Sequence, residues 1–480
     1  MSGIKEQTIS GVKWSAIERF SVQGVQFLLG LMLARLLSPS DYGIIGMVGI
    51  FFAISQTFVD SGFSNALIRK IDRTEIDFST VFYFNIVVGF VCSAIIFLLA
   101  PWIAAFFYQP ILTDVTRVLS INVFLGSLTT VQYAKLTIAI NFKTQAQISL
   151  VSTVLSGCLG VYLAWIGYGV WALVYQSVVA SILRVLLLWI RVRWIPVWTY
   201  SWKSFRTLFS YGSKLLLSGL LHTLYTEMTT IVIGKFYTPK ELGNYSRGQA
   251  IATLPCANIT SVLQRVTFPI FSRIQDDDKH LISVYRKYII LSSMVIFFVM
   301  TLLVFLAKPL VLFLLTDKWI NAVIFLQIYS FAIMFDHICQ INLNLLQVKG
   351  RSDLFLKLEI VKKSISMMIL FASIPLGVLF ICISKVVYTQ IAVFLNTYYT
   401  GKLFYLGYWQ QLRDFMPYLM LSVIACSGIY GLSLVIENNL VLLIVGTLLS
   451  TAIYVSLLYI KRDKIFMEFV YPVIKRLLRQ

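Results

Sequence analysis

Residues 34–43 read ARLLSPSDYG, and residues 234–243 read GKFYTPKELG. Both follow one pattern: a basic residue, two apolar residues, Ser or Thr, Pro, any residue, an acid, an apolar residue and Gly. The copies lie 200 positions apart. Ser38 or Thr238 can cap a helix start, and Pro39 or Pro239 fits the first helical position, where no backbone donor is needed. Asp41 or Glu241, three residues after the cap, completes a capping box and meets the positive helix end. Arg35 or Lys235 lies at the negative end of the preceding helix. The motif therefore predicts a tight helix–helix turn, written once in each half of the chain.

The flanks of both copies are long apolar runs. Of 480 residues, 58% are hydrophobic and 13% charged, with mean hydropathy +0.82; a soluble domain carries about twice that charge. Runs of roughly 20 apolar residues, the length of a bilayer-crossing helix, recur throughout and do not alternate as barrel strands do. The expectation is an all-α polytopic membrane protein with fourteen spans, near 13–37, 42–66, 79–100, 112–134, 145–166, 168–190, 210–234, 241–268, 287–307, 319–346, 354–374, 376–399, 414–435 and 438–460. The N-terminus lacks a small-residue cleavage site before its apolar run, so the first span is expected to be retained. The six cysteines all fall within these spans, with no CxxC or Cys/His cluster, which points to packing rather than zinc or disulfides.

The net charge of +19 could indicate nucleic acid, but its placement argues against that partner. One set of flanks and loops holds 25 of the 40 Lys and Arg, and the alternate set holds five: Arg35, Lys235, Lys240, Lys308 and Lys318. The positive-inside rule then puts both termini in the cytosol, with the basic residues meeting anionic membrane lipids. The remaining ten fall inside spans.

Further pairs extend the repeat. LLAPWIAAFF (98–107) resembles FLAKPLVLFL (305–314), and LSINVF (119–124) resembles LQIYSF (326–331). The expected organisation is an N-terminal lobe over 1–195, an interfacial amphipathic linker over 196–209 within the Trp-rich RVRWIPVWTYSWKSFR (191–206), a C-terminal lobe over 210–400, and two appended spans with a basic tail over 401–480. An even number of spans per lobe makes the repeats parallel, a geometry suited to alternating access around a cavity between lobes.

These residues carry a resemblance. VKWSAIERFSVQGVQFLLGLMLARLLSPSDYG (12–43), FVDSGFSNALIRK (58–70) and FPIFSRIQDDD (268–278) resemble the Wzx-type polysaccharide flippases, over essentially the whole chain, with greatest likeness to the colanic-acid and teichuronic-acid exporter branch. That superfamily also holds multidrug/toxin extruders (MATE) and lipid II flippases. The resemblance implies a MATE-like fold of two V-shaped bundles. It implies movement of an undecaprenyl-pyrophosphate-linked oligosaccharide between membrane leaflets for exopolysaccharide, capsule or O-antigen synthesis, beside a polymerase and export machinery. Ion coupling occurs in the superfamily but transfers to no residue here.

The polar side chains inside spans are the candidate site. Arg247, Asn258, Ser261 and Arg265 fall on one face of span 8 (steps of 11, 14 and 18 residues at about 100° each), with Pro255 expected to kink it. Lys214, Ser218, His222 and Tyr225 stripe span 7, and Glu18, Arg19, Gln23 and Gln26 lie on span 1. Arg suits a pyrophosphate because its planar fork donates two parallel hydrogen bonds; Gln, Asn, Ser and Tyr suit sugar hydroxyls. Arg265, Arg247, Arg19, Gln23, Gln26, Asn258, His222 and Tyr225 are the candidate cationic substrate cavity, against a reading in which they snorkel or pair structurally. Lys214 and Arg184 read as snorkelling, Lys357 as interfacial, and Lys362 and Lys363 as partners of Glu359; Lys385 lies deeper, with no role assigned. Glu18, Asp60, Glu227 and Asp336 are candidate ion-coupling acids, pairing with Arg19 or His337 being the structural alternative. No Walker loop, HExxH, nucleophile elbow or long extramembrane loop is present, so neither an enzyme nor a cofactor is expected. A cation-coupled multidrug extruder is the competing function, disfavoured by ten in-span cations; a membrane-embedded polymerase or ligase is the third.

Overall fold

The computed structural model describes residues 21–60, 62–472 and 475. Its described residues are helical, with no strand among them. In chain order the helices are α1 (Ser21–Leu36), α2 (Pro39–Asp60), α3 (Phe63–Arg69), α4 (Glu75–Phe107), α5 (Leu112–Ser127), α6 (Thr130–Ile138), α7 (Phe142–Trp165), α8 (Val170–Val192) and α9 (Trp202–Phe236). There follow α10 (Pro239–Arg273), α11 (Asp278–Phe305), α12 (Ala307–Leu314), α13 (Ala322–Ile333), α14 (Asp336–Val348), α15 (Ser352–Ser373), α16 (Val378–Phe404), α17 (Tyr408–Val435) and α18 (Asn439–Ile460).

Over its described residues, every expected span lands on a helix or a broken pair; residues 13–20 of the first lie outside them. Among the described residues, ten stretches are long and apolar enough to cross a bilayer by themselves. The four other expected spans are α1, the broken pair α5–α6, α10 and α15. The last two carry in-span cations, and a helix with a polar face loses mean hydropathy without losing its length.

Contacts divide the chain into Met1–Gly243 and Asn244–Gln480. In the first unit α4 packs on α5, α7 on α8, and α2 on α9, α4 and α5. Helix α9, whose sequence opens the second lobe by repeat position, thus packs with helices of the first unit. In the second unit α11 packs on α17, α13 and α14, while α16 packs on α13, α14 and α15, and α17 on α18. The two halves share one local feature, a broken helix at the same place in the expected span order. The fourth span of the first half breaks at Leu128–Thr129, between α5 and α6, and the tenth breaks at Met334–Phe335, between α13 and α14.

Both turns form the expected capping box. The backbone N–H and Oγ of Ser38 donate to Asp41 Oδ2 (2.9 and 2.7 Å), and Asp41 N–H donates back to Ser38 Oγ (3.3 Å). Thr238 and Glu241 repeat this at 3.0, 2.8 and 3.3 Å. The two turns also meet each other. A methyl group on Gly43 would overlap the carbonyl oxygen of Pro239, and one on Gly243 would overlap the carbonyl oxygen of Pro39. The motif ends in Gly because each copy lays its backbone against the proline of the other.

The segment after α8, where an interfacial amphipathic linker is expected, runs without regular helix up to α9. Helix α8 ends at Val192 and α9 begins at Trp202, leaving an extended strap docked on α4. Val197 N–H donates to Ser79 Oγ (2.8 Å) and Ser201 N–H to Thr80 Oγ1 (3.1 Å). Trp194 is buried and donates its indole N–H to Glu75 Oε2 (2.6 Å), which also accepts from Lys135 Nζ. Strap amides that would otherwise need water are satisfied by the first turns of α4. Trp198 and Trp202 remain exposed, as interface anchors do.

Candidate functional site

Helix α10 carries the decisive geometry. Its hydrogen bonds to α13 and α14 form a parallel ladder. Gln249 Nε2 donates to Tyr329 Oη (3.0 Å), Cys256 Sγ to the Ile333 carbonyl (3.4 Å), Gln264 Nε2 to Gln340 Oε1 (2.8 Å), and Asn344 Nδ2 to Thr267 Oγ1 (3.1 Å). Counting about 100° per residue from Arg247, positions 249, 256 and 267 sit near 180–200°. Positions 258, 261 and 265 sit within about 40° of Arg247. The arginine stripe therefore lies on the side of α10 opposite the face bonded to α13–α14.

The two arginines differ. Arg247 is half-buried, its guanidinium 5.9 Å from the centre of the Trp319 ring. Arg265 is exposed, and among the described residues none holds it by a hydrogen bond or ion pair. Eighteen residues separate them, roughly 27 Å of helix rise, close to the hydrocarbon thickness of a bilayer. At that separation the two guanidinium groups cannot hold a single pyrophosphate together. Helix α10 continues through Pro255 and Pro269.

On α1, Gln23 is half-buried and Gln26 exposed; Glu18 and Arg19 lie outside the described residues. On α9, His222 is exposed and Tyr225 half-buried. Thr223, beside His222, meets Thr57 of α2 with hydroxyl oxygens 3.2 Å apart, so the polar stretches of α2 and α9 come together. Asp60 accepts from Gln56 Nε2 (3.1 Å), and the Glu227 carboxyl meets Thr230.

Asp336 does not pair with His337. The His337 ring lies 2.9 Å from Ser293 Oγ through Nε2 and 2.8 Å from the Met334 carbonyl through Nδ1. The cations acting on Asp336 are Lys385 and Lys362. That places Lys385, and it gives Lys362 a second role beside its ion pair with Glu359. Four cysteines are buried packing residues as expected, Cys92 is half-buried and Cys158 is exposed; all six are free thiols.

Arg184 is the residue whose place the sequence missed. It lies eight residues, roughly 12 Å of helix rise, before the end of α8 at Val192. It lines a cavity of about 420 Å³ within the first unit, between α2, α5 and α8. Helical spacing gives a residue's face but not whether that face opens on a cavity.

The fold is that of solved membrane exporters. A structure of the lipid II flippase MurJ in an inward closed conformation superposes with TM-score 0.77 at 12% identity, over 94% of this chain and 99% of that one. The model of the family described as "Polysaccharide biosynthesis protein" matches residues 32–324, and the chain belongs to that family. Among its relatives, the teichuronic acid biosynthesis protein TuaB of Bacillus subtilis (strain 168) is 26% identical over 74% of each chain. The lipopolysaccharide biosynthesis protein WzxC of Escherichia coli (strain K12) is 24% identical over 75% of this chain and 73% of its own.

Proposed function

We propose that this protein is a flippase that carries undecaprenyl-pyrophosphate-linked oligosaccharides across a bacterial cytoplasmic membrane by alternating access, with both termini cytosolic. The observation that carries the reading is the α10 stripe: Arg247, Asn258, Ser261 and Arg265 on the face turned from α13–α14, with Arg265 exposed and unpaired among the described residues. Polar groups held at membrane depth mark transport paths. With the inward orientation expected from charge, Arg265 lies toward the cytosol and Arg247 toward the periplasm. The pyrophosphate meets Arg265 first and Arg247 last, and Asn258 and Ser261 bridge the interval. Gln23, Gln26, His222 and Tyr225 supply neutral contacts to sugar hydroxyls.

Export of surface polysaccharide, with membrane protein level measured alongside, tests this. Arg265→Lys retains part of export, Arg265→Ala loses most, and Arg265→Glu nearly all, each at normal protein level. Full export by Arg265→Glu at normal level overturns the reading. Reporter fusions after Gln480 and within 238–241 should report opposite sides of the membrane; the same side for both removes the orientation on which the path depends.

A further inference from the structure

Among the described residues, the cavity in the first unit is lined by one cation and no carboxylate. Its polar wall is Gln56, Asn122, Thr129, Ser177, Ser181 and Arg184, and its apolar wall includes Phe52, Val48 and Leu173. Much of the polar wall is fixed in place. Asn122 Nδ2 donates to Ser177 Oγ (3.0 Å), Ser181 Oγ to the Ser177 carbonyl (3.1 Å), and Gln56 Nε2 to Asp60 outside the cavity. Two groups are left over. Asn122 Oδ1 is buried without a hydrogen-bond donor, and Arg184 has no hydrogen bond or ion pair among the described residues.

An unpaired guanidinium inside a membrane span is costly and marks a partner or a function. Snorkelling would relieve that cost, but Arg184 is more than a side chain's length from the end of its helix. A resident acid would relieve it too, and among the described residues none lines the cavity. What remains is an anion that arrives from outside. The lining names its other features: fixed amides and hydroxyls for ring hydroxyls, and Phe52 with aliphatic neighbours for the C–H face of a sugar. The volume lies within the ~300–1,000 Å³ of small-ligand sites, room for a short saccharide unit and not for a long glycan.

We propose that this cavity is a subsite for an acidic sugar, with Arg184 gripping an oxyanion, the carboxylate of a uronic acid, through its planar fork. The proposal rests on the reading of the cargo as a saccharide. It adds that a site inside the first unit, separate from the α10 stripe, selects for negative charge on the glycan itself.

The test uses the purified full-length chain in nanodiscs of zwitterionic lipid, with equilibrium binding of glucuronate, glucose and glycerol 1-phosphate as probes. Glucuronate is expected to bind at least tenfold more tightly than glucose. Arg184→Gln should abolish the difference and Arg184→Lys keep part of it. Asn122→Leu, which keeps the charge, should weaken glucuronate while leaving elution on size exclusion unchanged. Binding of glycerol 1-phosphate alone assigns the cavity to a lipid headgroup and overturns the sugar assignment, as does equal binding of glucuronate and glucose, or glucuronate binding that survives Arg184→Gln. Arg265→Glu separates the two readings. Glucuronate binding intact with export lost supports both, and glucuronate binding intact with export also intact sinks only the α10 path.

Discussion

Two buried polar regions, one in each unit, handle polarity in opposite ways. Around Asn342 in the second, the buried groups find each other. The Tyr285 and Thr400 hydroxyls and the Gln411 amide all donate to Asn342 Oδ1 (2.8, 2.6 and 3.2 Å), and Asn342 Nδ2 donates to the Ile338 carbonyl (2.8 Å) and Gln411 Oε1 (3.0 Å). In the first unit Asn85 and Gln132, both fully buried, have side-chain atoms with no hydrogen-bond partner among the described residues, and Arg184 faces an open cavity. The Asn342 cluster is closed on itself, whereas Asn85 and Gln132 are left unsatisfied among the described residues and Arg184 faces a cavity. A satisfied network fixes a single arrangement, while unsatisfied buried groups keep a demand for a ligand or solvent.

That contrast can be broken at its strongest point. Asn342→Ala removes the acceptor that Tyr285, Thr400 and Gln411 share, leaving the two hydroxyls only Gln411 Oε1 (3.0 Å) and the Asn396 carbonyl (3.2 Å); with the Gln411 amide losing a partner and a cavity opening, it should cost about 2–4 kcal/mol, read as unfolding in bicelles. A loss below 1 kcal/mol would mean that the network is no more rigid than the first unit. Next in size is Gly43→Ala, whose methyl meets the Pro239 carbonyl. Overpacking of this kind costs about 1–3 kcal/mol. Gly243→Ala should match it, and the double variant should lose less than the sum because both strain one contact; additive losses would show that the turns do not act as a pair. Glu75→Gln weakens the strap clasp. The carboxylate is more than half exposed, so the loss should stay under about 1 kcal/mol and shrink as salt is raised. Arg184→Gln comes last: removing an unpaired cation should leave stability unchanged or raised, within about 0.5 kcal/mol, and a large loss would place Arg184 in a structural pair.

Local features were legible in the sequence and long-range ones were not. Ser38 with Asp41, and Thr238 with Glu241, are three residues apart, so their capping boxes follow from spelling alone. The expected spans follow from apolar length, and the α10 stripe from helical spacing. The contact of Gly43 with Pro239 joins residues 196 positions apart, and nothing local demands it; the repeated motif was a sign of it without being a description. His337 beside Asp336 looked like a partner, yet adjacent positions on a helix point about 100° apart, and each found others. The hydrogen bonds of the strap over 193–201 to Ser79 and Thr80 were not legible, because its tryptophans suit a membrane interface whichever backbone carries them and its partners lie more than 100 positions away.

The meeting of the two turns also has a consequence for how the chain is made. Pro39 leaves the ribosome about 200 residues ahead of Gly243, which at ~5–20 residues per second is an interval of roughly 10–40 s. Throughout it the first turn sits in the membrane with one flank of bare backbone uncovered. A nascent chain halted between the two copies should therefore be open to proteolysis at the first turn and lose that sensitivity once the second has emerged, making the repeated ten residues a checkpoint in biogenesis as well as a contact of the finished fold.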